Sequence, residues 1–146
     1  MKDLPVIIIH HFDTSPSTLW EAITERDLMV EWFFNNIPSF EDRVGFKTNF
    51  IVENEGRVFP HFWEIIEVIP GVKIVYDWRY AGYIGSSIVT FEIEEKKKGC
   101  TLFVTHANID PYDQSIPEFT RESCEGGWEY FIKDRLSNFL KSKTNL

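Results

Sequence analysis

Residues 121–140 read RESCEGGWEYFIKDRLSNFL. The apolar side chains of this stretch recur every three or four residues and so share one face of a helix; they are Trp128, Phe131, Ile132, Leu136, Phe139 and Leu140. Gly126 and Gly127 would each destabilise a helix by about 1 kcal/mol relative to alanine. Their position beside Trp128 therefore indicates that the helix backbone packs closely against another element. We expect a long C-terminal helix that covers a sheet.

The residues before this helix contain a capping-box pattern. Ser115 is followed three residues later by Glu118, and Pro117 lies between them at a position typical of a first helical turn. The pattern predicts that the helix begins near Ser115 and runs to about Ser142.

Residues 40–109 alternate between apolar and polar side chains, which is typical of strands with one buried face. Turn signals at residues 54–56, 70–71 and 96–99 divide this region into antiparallel strands. The side chains that share one face of each predicted strand are Val44, Phe46, Thr48 and Phe50, then Ile74, Tyr76, Trp78 and Tyr80, then Ser87, Val89, Phe91 and Ile93, and finally Leu102, Val104 and His106. With a first strand over residues 6–13, we expect a curved sheet of about six to seven strands.

Two short helices are predicted between the first strand and this region. Ser15 is a suitable N-cap and Pro16 fits the first turn of a helix that ends near Thr24. A second helix over residues 25–33 ends before the asparagines and proline that follow it. We predict an α+β fold in one domain spanning residues 1–146.

Composition limits the partners that the protein can bind. Its 15 basic and 23 acidic residues give a net charge of −8, which argues against binding to nucleic acid or anionic lipid. The basic run at residues 96–98 fits a solvated hairpin tip. Because no apolar run approaches membrane-spanning length and the N-terminus does not read as a signal peptide, we expect a cytoplasmic protein without membrane insertion.

The two cysteines and four histidines do not form a recognisable metal motif. Cys100 and Cys124 show no ligand spacing, and we expect reduced thiols, although a bridge between them stays open. His10 and His11 point to opposite faces of a strand, so they cannot hold one ion together. We therefore predict neither a metal site nor a cofactor.

Several segments, taken in order, resemble a known superfamily. They are Ser15-Pro16 with residues 19–24, Trp32-Phe33, Val44-Gly45, residues 66–70 followed by Ile74 and residues 76–78, residues 89–93, Gly99 with residues 102–106, and Gly126-Gly127-Trp128 with Leu136. This order is similar to the helix-grip fold of the START and birch-pollen-allergen superfamily, also called SRPBCC. Within it, the chain resembles the branch of the activator of the ninety-kilodalton heat-shock protein's ATPase.

The resemblance implies a helix lying over the concave face of the sheet, with a cavity between them. It says little about activity, since similar proteins include ligand binders, cyclases and chaperone partners. A glycine that related sequences often carry shortly before Glu67 is absent, which predicts a narrower or more aromatic cavity. The chaperone activator also has a separate N-terminal domain, for which this chain has no room, so a stand-alone module is favoured.

The predicted cavity would be walled mainly by aromatic rings. Strand alternation points Phe46, Trp78 and Tyr80 inward, while Trp128 and Phe131 face them from the helix. The candidate ligand-binding residues are Trp32, Phe46, His61, Trp63, Trp78, Tyr80, His106, Trp128 and Phe131. Trp32 is assigned to one end of the cavity, and the register of Trp63 is ambiguous because two isoleucines follow it closely. The alternative is that these rings simply fill the interior.

His106 and His61 are the polar candidates within this aromatic set. Either could form a hydrogen bond with a ligand or act as a general base, and either could instead be a satisfied interior histidine. No catalytic motif is present in the sequence. The favoured function is binding of a small apolar or aromatic molecule. The alternatives are a cyclase- or hydrolase-type enzyme that uses one of these histidines, a chaperone-interacting module, and a homodimer formed through a strand edge.

Overall fold

The computed structural model describes residues 4–144. Its strands are β1 (Val6–Phe12), β2 (Lys47–Asn54), β3 (Arg57–Ile69), β4 (Lys73–Tyr80), β5 (Ser86–Glu95) and β6 (Cys100–Asp110). They form one antiparallel sheet in the order β1-β6-β5-β4-β3-β2. Two short helices, α1 (Pro16–Thr24) and α2 (Arg26–Trp32), follow β1. The predicted α+β helix-grip fold with a six- to seven-stranded sheet is confirmed.

The C-terminal helix, residues 121–144, covers the inward face of this sheet. It consists of α3 (Arg121–Glu129), a π-helical segment (Tyr130–Leu136) and α4 (Ser137–Thr144). Its buried apolar side chains follow a strict four-residue repeat of Trp128, Ile132, Leu136 and Leu140. Such a repeat drifts by about 40° per step around a helix of 3.6 residues per turn. The wider π turns offset this drift and keep the four side chains against the sheet.

Local signals set most element boundaries as expected. Ser15 caps α1 by accepting a hydrogen bond from the backbone N–H of Thr18, and Pro16 is the first helical residue. Glu55 and Gly56 both have positive φ, at 50° and 83°, as a two-residue hairpin turn between β2 and β3 requires.

The predicted start of the C-terminal helix is wrong. A short 3₁₀ turn (Pro117–Phe119) precedes the helix, whose N-cap is Thr120. The hydroxyl of Thr120 accepts from the backbone N–H of Ser123. Glu118 takes no part in capping because its carboxylate is paired with Arg57 of β3.

The expectation for the paired glycines is also wrong. A Cβ atom built on Gly126 or Gly127 would meet no other atom within 4 Å. No neighbouring element therefore lies close enough to the helix backbone to require glycine at either position. Gly126 faces outward, whereas Gly127 borders an open space under the helix.

A β-bulge settles the register of β3. Pairing with β4 shifts between Ile65 and Glu67, which leaves Ile66 as the extra residue. His61, Trp63 and Ile65 consequently point inward and are buried, whereas Ile66 is exposed. The alternation that the two adjacent isoleucines obscured in the sequence is regular up to the bulge.

The core between the sheet and the helices is dense and aromatic. Its largest fully buried rings are Trp32, Trp63, Tyr76 and Phe91. Phe33, just after α2, lies between this layer and the helix, with its ring centroid 5.6 Å from that of Trp63 and 5.8 Å from that of Trp128. No helix in the described part of the chain is long and apolar enough to cross a membrane.

Candidate ligand-binding cleft

Two adjoining spaces, both open to solvent, lie beneath the first turns of the C-terminal helix, and they are called here the inner and the outer chamber by their position relative to the aromatic core. The inner chamber has a volume of about 120 Å³ and is lined by Phe33, Phe34, His61, Trp78, Tyr80, His106, Glu118, Ser123, Cys124, Gly127, Trp128 and Phe131. The outer chamber has a volume of about 220 Å³ and is lined by Leu4, Val6, Tyr80, His106, Asn108, Pro111, Tyr112, Gln114, Glu118, Phe119, Arg121 and Cys124. The chambers share four wall residues and so border one another. Together they reach only the lower end of the ~300–1,000 Å³ usual for ligand pockets.

Six of the nine predicted site residues line the inner chamber. They are His61, Trp78, Tyr80, His106, Trp128 and Phe131. The other six wall residues were not predicted from the sequence as part of the site; they are Phe33, Phe34, Glu118, Ser123, Cys124 and Gly127. The run Trp32-Phe33-Phe34 was the available signal for the first two, because three large rings in succession cannot all face one side of a short helix.

The other three predicted residues lie outside the chamber, within the core. Trp32 is fully buried and its indole N–H donates to the carbonyl of Ala22 at 2.8 Å. Phe46 packs edge-on against Phe40, and Trp63 stacks on Phe33. For these rings the structure supports the alternative of interior packing, so they are not part of the candidate site.

His106 belongs to a hydrogen-bonded chain between the helix and the sheet. The indole N–H of Trp128 donates to its Nδ1 at 2.9 Å, and its Nε2 lies 2.9 Å from Oγ of Ser87 on β5. The Ser87 hydroxyl is in turn 2.7 Å from the hydroxyl of Tyr112, which donates to the carbonyl of Trp78. Because an indole can only donate, Nδ1 carries no proton, and His106 is the neutral Nε2–H tautomer.

This arrangement limits the acid-base chemistry of His106. The ring is only 8% exposed, and burial lowers its pKa to about 4. A serine activated by histidine needs a basic nitrogen facing the hydroxyl and an acceptor behind the ring. In His106 the proton is on Nε2, which faces the Ser87 hydroxyl, and Nδ1 accepts a hydrogen bond from the indole N–H of Trp128. The pair is therefore set up to hold the helix on the sheet, and it is not set up as a nucleophile and base.

His61 has the opposite tautomer. Its Nδ1 lies 3.0 Å from the carbonyl oxygen of Phe59, which can only accept, so the proton is on Nδ1 and Nε2 is a free lone pair. The side chain is buried, and burial lowers its pKa to about 4. Within residues 4–144 no group donates a hydrogen bond to this nitrogen. His61 is therefore a neutral acceptor in the wall of the inner chamber.

Tyr80 supplies an unused donor beside it. Its hydroxyl oxygen accepts from the indole N–H of Trp78 at 2.9 Å, while its own O–H has no acceptor in the described residues. Burial raises the pKa of this phenol, so it stays protonated. The rings of Tyr80 and His61 meet edge to face with centroids 4.7 Å apart.

The carboxylate of Glu118 closes the end of both chambers near the β2–β3 hairpin. The guanidinium of Arg57 donates to its two oxygens at 2.8 Å each, and the Asn54 amide donates at 2.6 Å. The hydrogen bonds from Arg57 lower the pKa of Glu118 to about 2. This ion pair ties the hairpin tip to the segment that leads into the C-terminal helix, 61 residues later in the chain.

The thiol of Cys124 faces the same walls, but it is a poor nucleophile. Burial raises its pKa to about 11, and its Sγ lies 3.5 Å from Nδ1 of His106. Cys100 is buried elsewhere, and both thiols are free. No group of three or more potential metal ligands occurs among residues 4–144.

A family model matches most of the sequence. The match covers residues 13–141, and the family is described as Activator of Hsp90 ATPase homolog 1-like protein. The chain belongs to this family. The resemblance to the START/SRPBCC superfamily, in the branch of Hsp90 ATPase activator homologues, is thereby confirmed. No protein with curated annotation matches the sequence.

Solved structures share the fold of this family member at low sequence identity. MLL2253 from Mesorhizobium loti is 24% identical with a TM-score of 0.75, and the alignment covers 95% of this chain and 98% of that one. The Aha1 dimer from Colwellia psychrerythraea is 20% identical with a TM-score of 0.69, covering 92% and 94%. DynU16, from the dynemicin biosynthetic locus, is 20% identical with a TM-score of 0.77 over 97% of this chain. The chain spans about half the length of DynU16, or 49%.

Proposed function

We propose that this protein binds a small, uncharged aromatic or apolar molecule in the inner chamber, without transforming it. The observation that carries this proposal is a space lined by rings from β4, the loop after α2 and the C-terminal helix, with two neutral histidines in its wall. A cavity of roughly 150 Å³ lined by apolar side chains is large enough for benzene. The inner chamber alone, at about 120 Å³, is smaller than this, but it is continuous in its walls with the outer chamber of about 220 Å³, and the two together offer room for one ring and a substituent.

The enzyme alternative has less support from the geometry. Its general base would be His106 or His61, and both have a pKa of about 4, well below that of an efficient base near neutral pH. His106 also has both ring nitrogens in hydrogen bonds within the protein. Cys124 is a protonated thiol at neutral pH.

The test uses the open space beside Gly127. Because a Cβ there meets no atom within 4 Å and Gly127 lines the inner chamber, Gly127→Leu should place its side chain in that space. Gly126→Leu is the matched control, since it adds the same side chain one residue earlier on the exposed surface. Toluene binding is measured by ligand-observed NMR and by quenching of tryptophan fluorescence.

The proposal expects saturable toluene binding by the original protein and by Gly126→Leu, and at least a tenfold weaker signal for Gly127→Leu. Thermal unfolding of both variants checks that they remain folded. Absence of binding to the original protein, or equal binding by both variants, would contradict the proposal.

A chaperone-partner role is a second candidate, favoured by the match of residues 13–141 to the Hsp90 activator family. The relevant measurement is the ATP turnover of an Hsp90 chaperone with and without this protein. An increase that saturates with protein concentration supports the role, whereas unchanged turnover and no complex in a pull-down exclude it. The Gly127→Leu variant separates the two functions, because filling the inner chamber should leave a surface interaction intact.

A further inference from the structure

The inner chamber contains one hydrogen-bond acceptor and one donor that the protein itself does not use. The acceptor is Nε2 of His61, whose other nitrogen donates to the carbonyl of Phe59. The donor is the O–H of Tyr80, whose oxygen already accepts from Trp78. Among the described residues, the fully buried side-chain polar atoms without a partner are Nε1 of Trp63 and the hydroxyl of Tyr76, and Nε2 of His61 is not one of them. This nitrogen is therefore open to water or to a ligand from the chamber. Both side chains line the same small space, and their ring centroids lie 4.7 Å apart.

A hydroxyl group is the simplest partner that satisfies both atoms. It can donate its hydrogen to Nε2 of His61 while its oxygen accepts from Tyr80. A ketone, an ether or a carboxylate can only accept, and would leave His61 without a donor. An ammonium group can only donate, and would leave the Tyr80 hydroxyl without an acceptor.

The walls of the inner chamber disfavour a charged ligand group there. The positive side chain of the outer chamber, Arg121, donates to the backbone carbonyls of Leu4 and Pro5. Among the walls of the inner chamber the charged side chain is Glu118, whose carboxylate is neutralised by Arg57 at the rim. A ligand carboxylate would meet no positive charge there, and it would lose its hydration on entering an apolar space. The remaining wall is formed largely by the rings of Phe33, Trp78 and Trp128, which favour a flat aromatic guest.

We propose that the inner chamber is selective for a neutral aromatic alcohol of about one ring, such as a phenol, whose hydroxyl lies between His61 and Tyr80. This inference rests on the proposed function and adds its ligand class. The aromatic ring contacts the walls as toluene would, and the hydroxyl forms the two hydrogen bonds. The inner chamber should therefore bind phenol more tightly than toluene, and it should bind benzoate more weakly than either.

The experiment compares phenol, toluene and benzoate at pH 7 by ligand-observed NMR titration. The variants are His61→Phe, which removes the acceptor, and Tyr80→Phe, which removes the donor. Tyr83→Phe is the matched control, because the hydroxyl of Tyr83 donates to the carbonyl of Val58 outside the inner chamber. Far-UV circular dichroism and thermal unfolding verify that each variant is folded.

The original protein and Tyr83→Phe should bind phenol about tenfold more tightly than toluene, as expected for hydrogen bonds to buried groups. His61→Phe and Tyr80→Phe should each lose most of that difference while keeping their affinity for toluene. Equal affinity for phenol and toluene, or tighter binding of benzoate, overturns this inference and leaves the proposed function standing. Failure to bind phenol and toluene alike overturns both. If the two variants bind phenol as the original does, the assigned hydrogen bonds are wrong.

Discussion

Mild acid should destabilise this protein at a pH where carboxylates contribute little. His61 and His106 are 6% and 8% exposed, and burial lowers each pKa from 6.5 to about 4. Between these values the unfolded chain binds protons that the folded chain does not bind. The free energy of unfolding therefore falls as pH decreases from about 7 to 4, and is constant with respect to these two groups above that range.

The size of the effect follows from the two pKa values. Integrating the proton linkage from pH 7 to pH 5.5 gives a loss of about 1.2 kcal/mol per histidine, or roughly 2.4 kcal/mol for the pair. Below pH 4 the loss approaches about 3 kcal/mol for each. The lowered pKa of His10 adds to the effect with the same sign, but this ring is only partly buried. The stabilisation from Glu118 is lost only at lower pH, between about 4.5 and 2.

Urea unfolding followed by tryptophan fluorescence at pH 7.0, 6.5, 6.0 and 5.5 measures this dependence. His106→Gln keeps one donor and one acceptor but does not titrate, so about half of the pH dependence should disappear. The double variant with His61→Gln should retain only a small residual slope. A free energy of unfolding that is unchanged between pH 7 and 5.5, or that rises as the pH falls, would refute the assignment of two buried neutral histidines.

Three further changes test local features of the fold. Gly126→Ala should raise the free energy of unfolding by about 1 kcal/mol, because the added methyl meets open space on the helix surface. Gly99→Ala should lower the free energy of unfolding by more than about 1 kcal/mol, because φ is +80° and the new Cβ would overlap the carbonyl oxygen of Phe12. Urea unfolding of the two glycine variants measures both changes. Arg57→Gln should raise the pKa of Glu118 from about 2 toward its ordinary value, which NMR titration of the carboxylate measures; an unchanged pKa would mean that the ion pair does not set it.

Local patterns in the sequence predicted the elements and their buried faces well. The alternation around Trp78 and Val89, the turn at Gly56 and the cap at Ser15 depend on neighbours within a few residues, so a single segment contains the information. The helical spacing that begins at Trp128 likewise predicted which face meets the sheet. The helix start predicted at Ser115 was wrong for a related reason. The local capping pattern assigned Glu118 to the cap, whereas its carboxylate pairs with Arg57, which is distant in the sequence.

The hydrophobic periodicity predicted which side of the sheet each aromatic ring faces, but it did not predict whether the ring lies in the core or in the chamber wall. Trp63 and Trp78 face the same side of the sheet, yet the structure buries the first in the core and places the second in the chamber wall. Whether an inward side chain meets another atom or open space depends on the distance between elements, which is set by the side chains of all of them together.

By itself, the sequence determined the strands, the two short helices, the covering helix and the aromatic character of the interior, because hydrophobic periodicity and turn chemistry are local properties. Only the tertiary structure decided that Gly127 borders an open cleft, that the two buried histidines are opposite tautomers, and that six of the predicted residues share one chamber. Those features depend on contacts between residues far apart in the chain, such as Trp128 with His106, whose hydrogen bonding fixes where the proton lies.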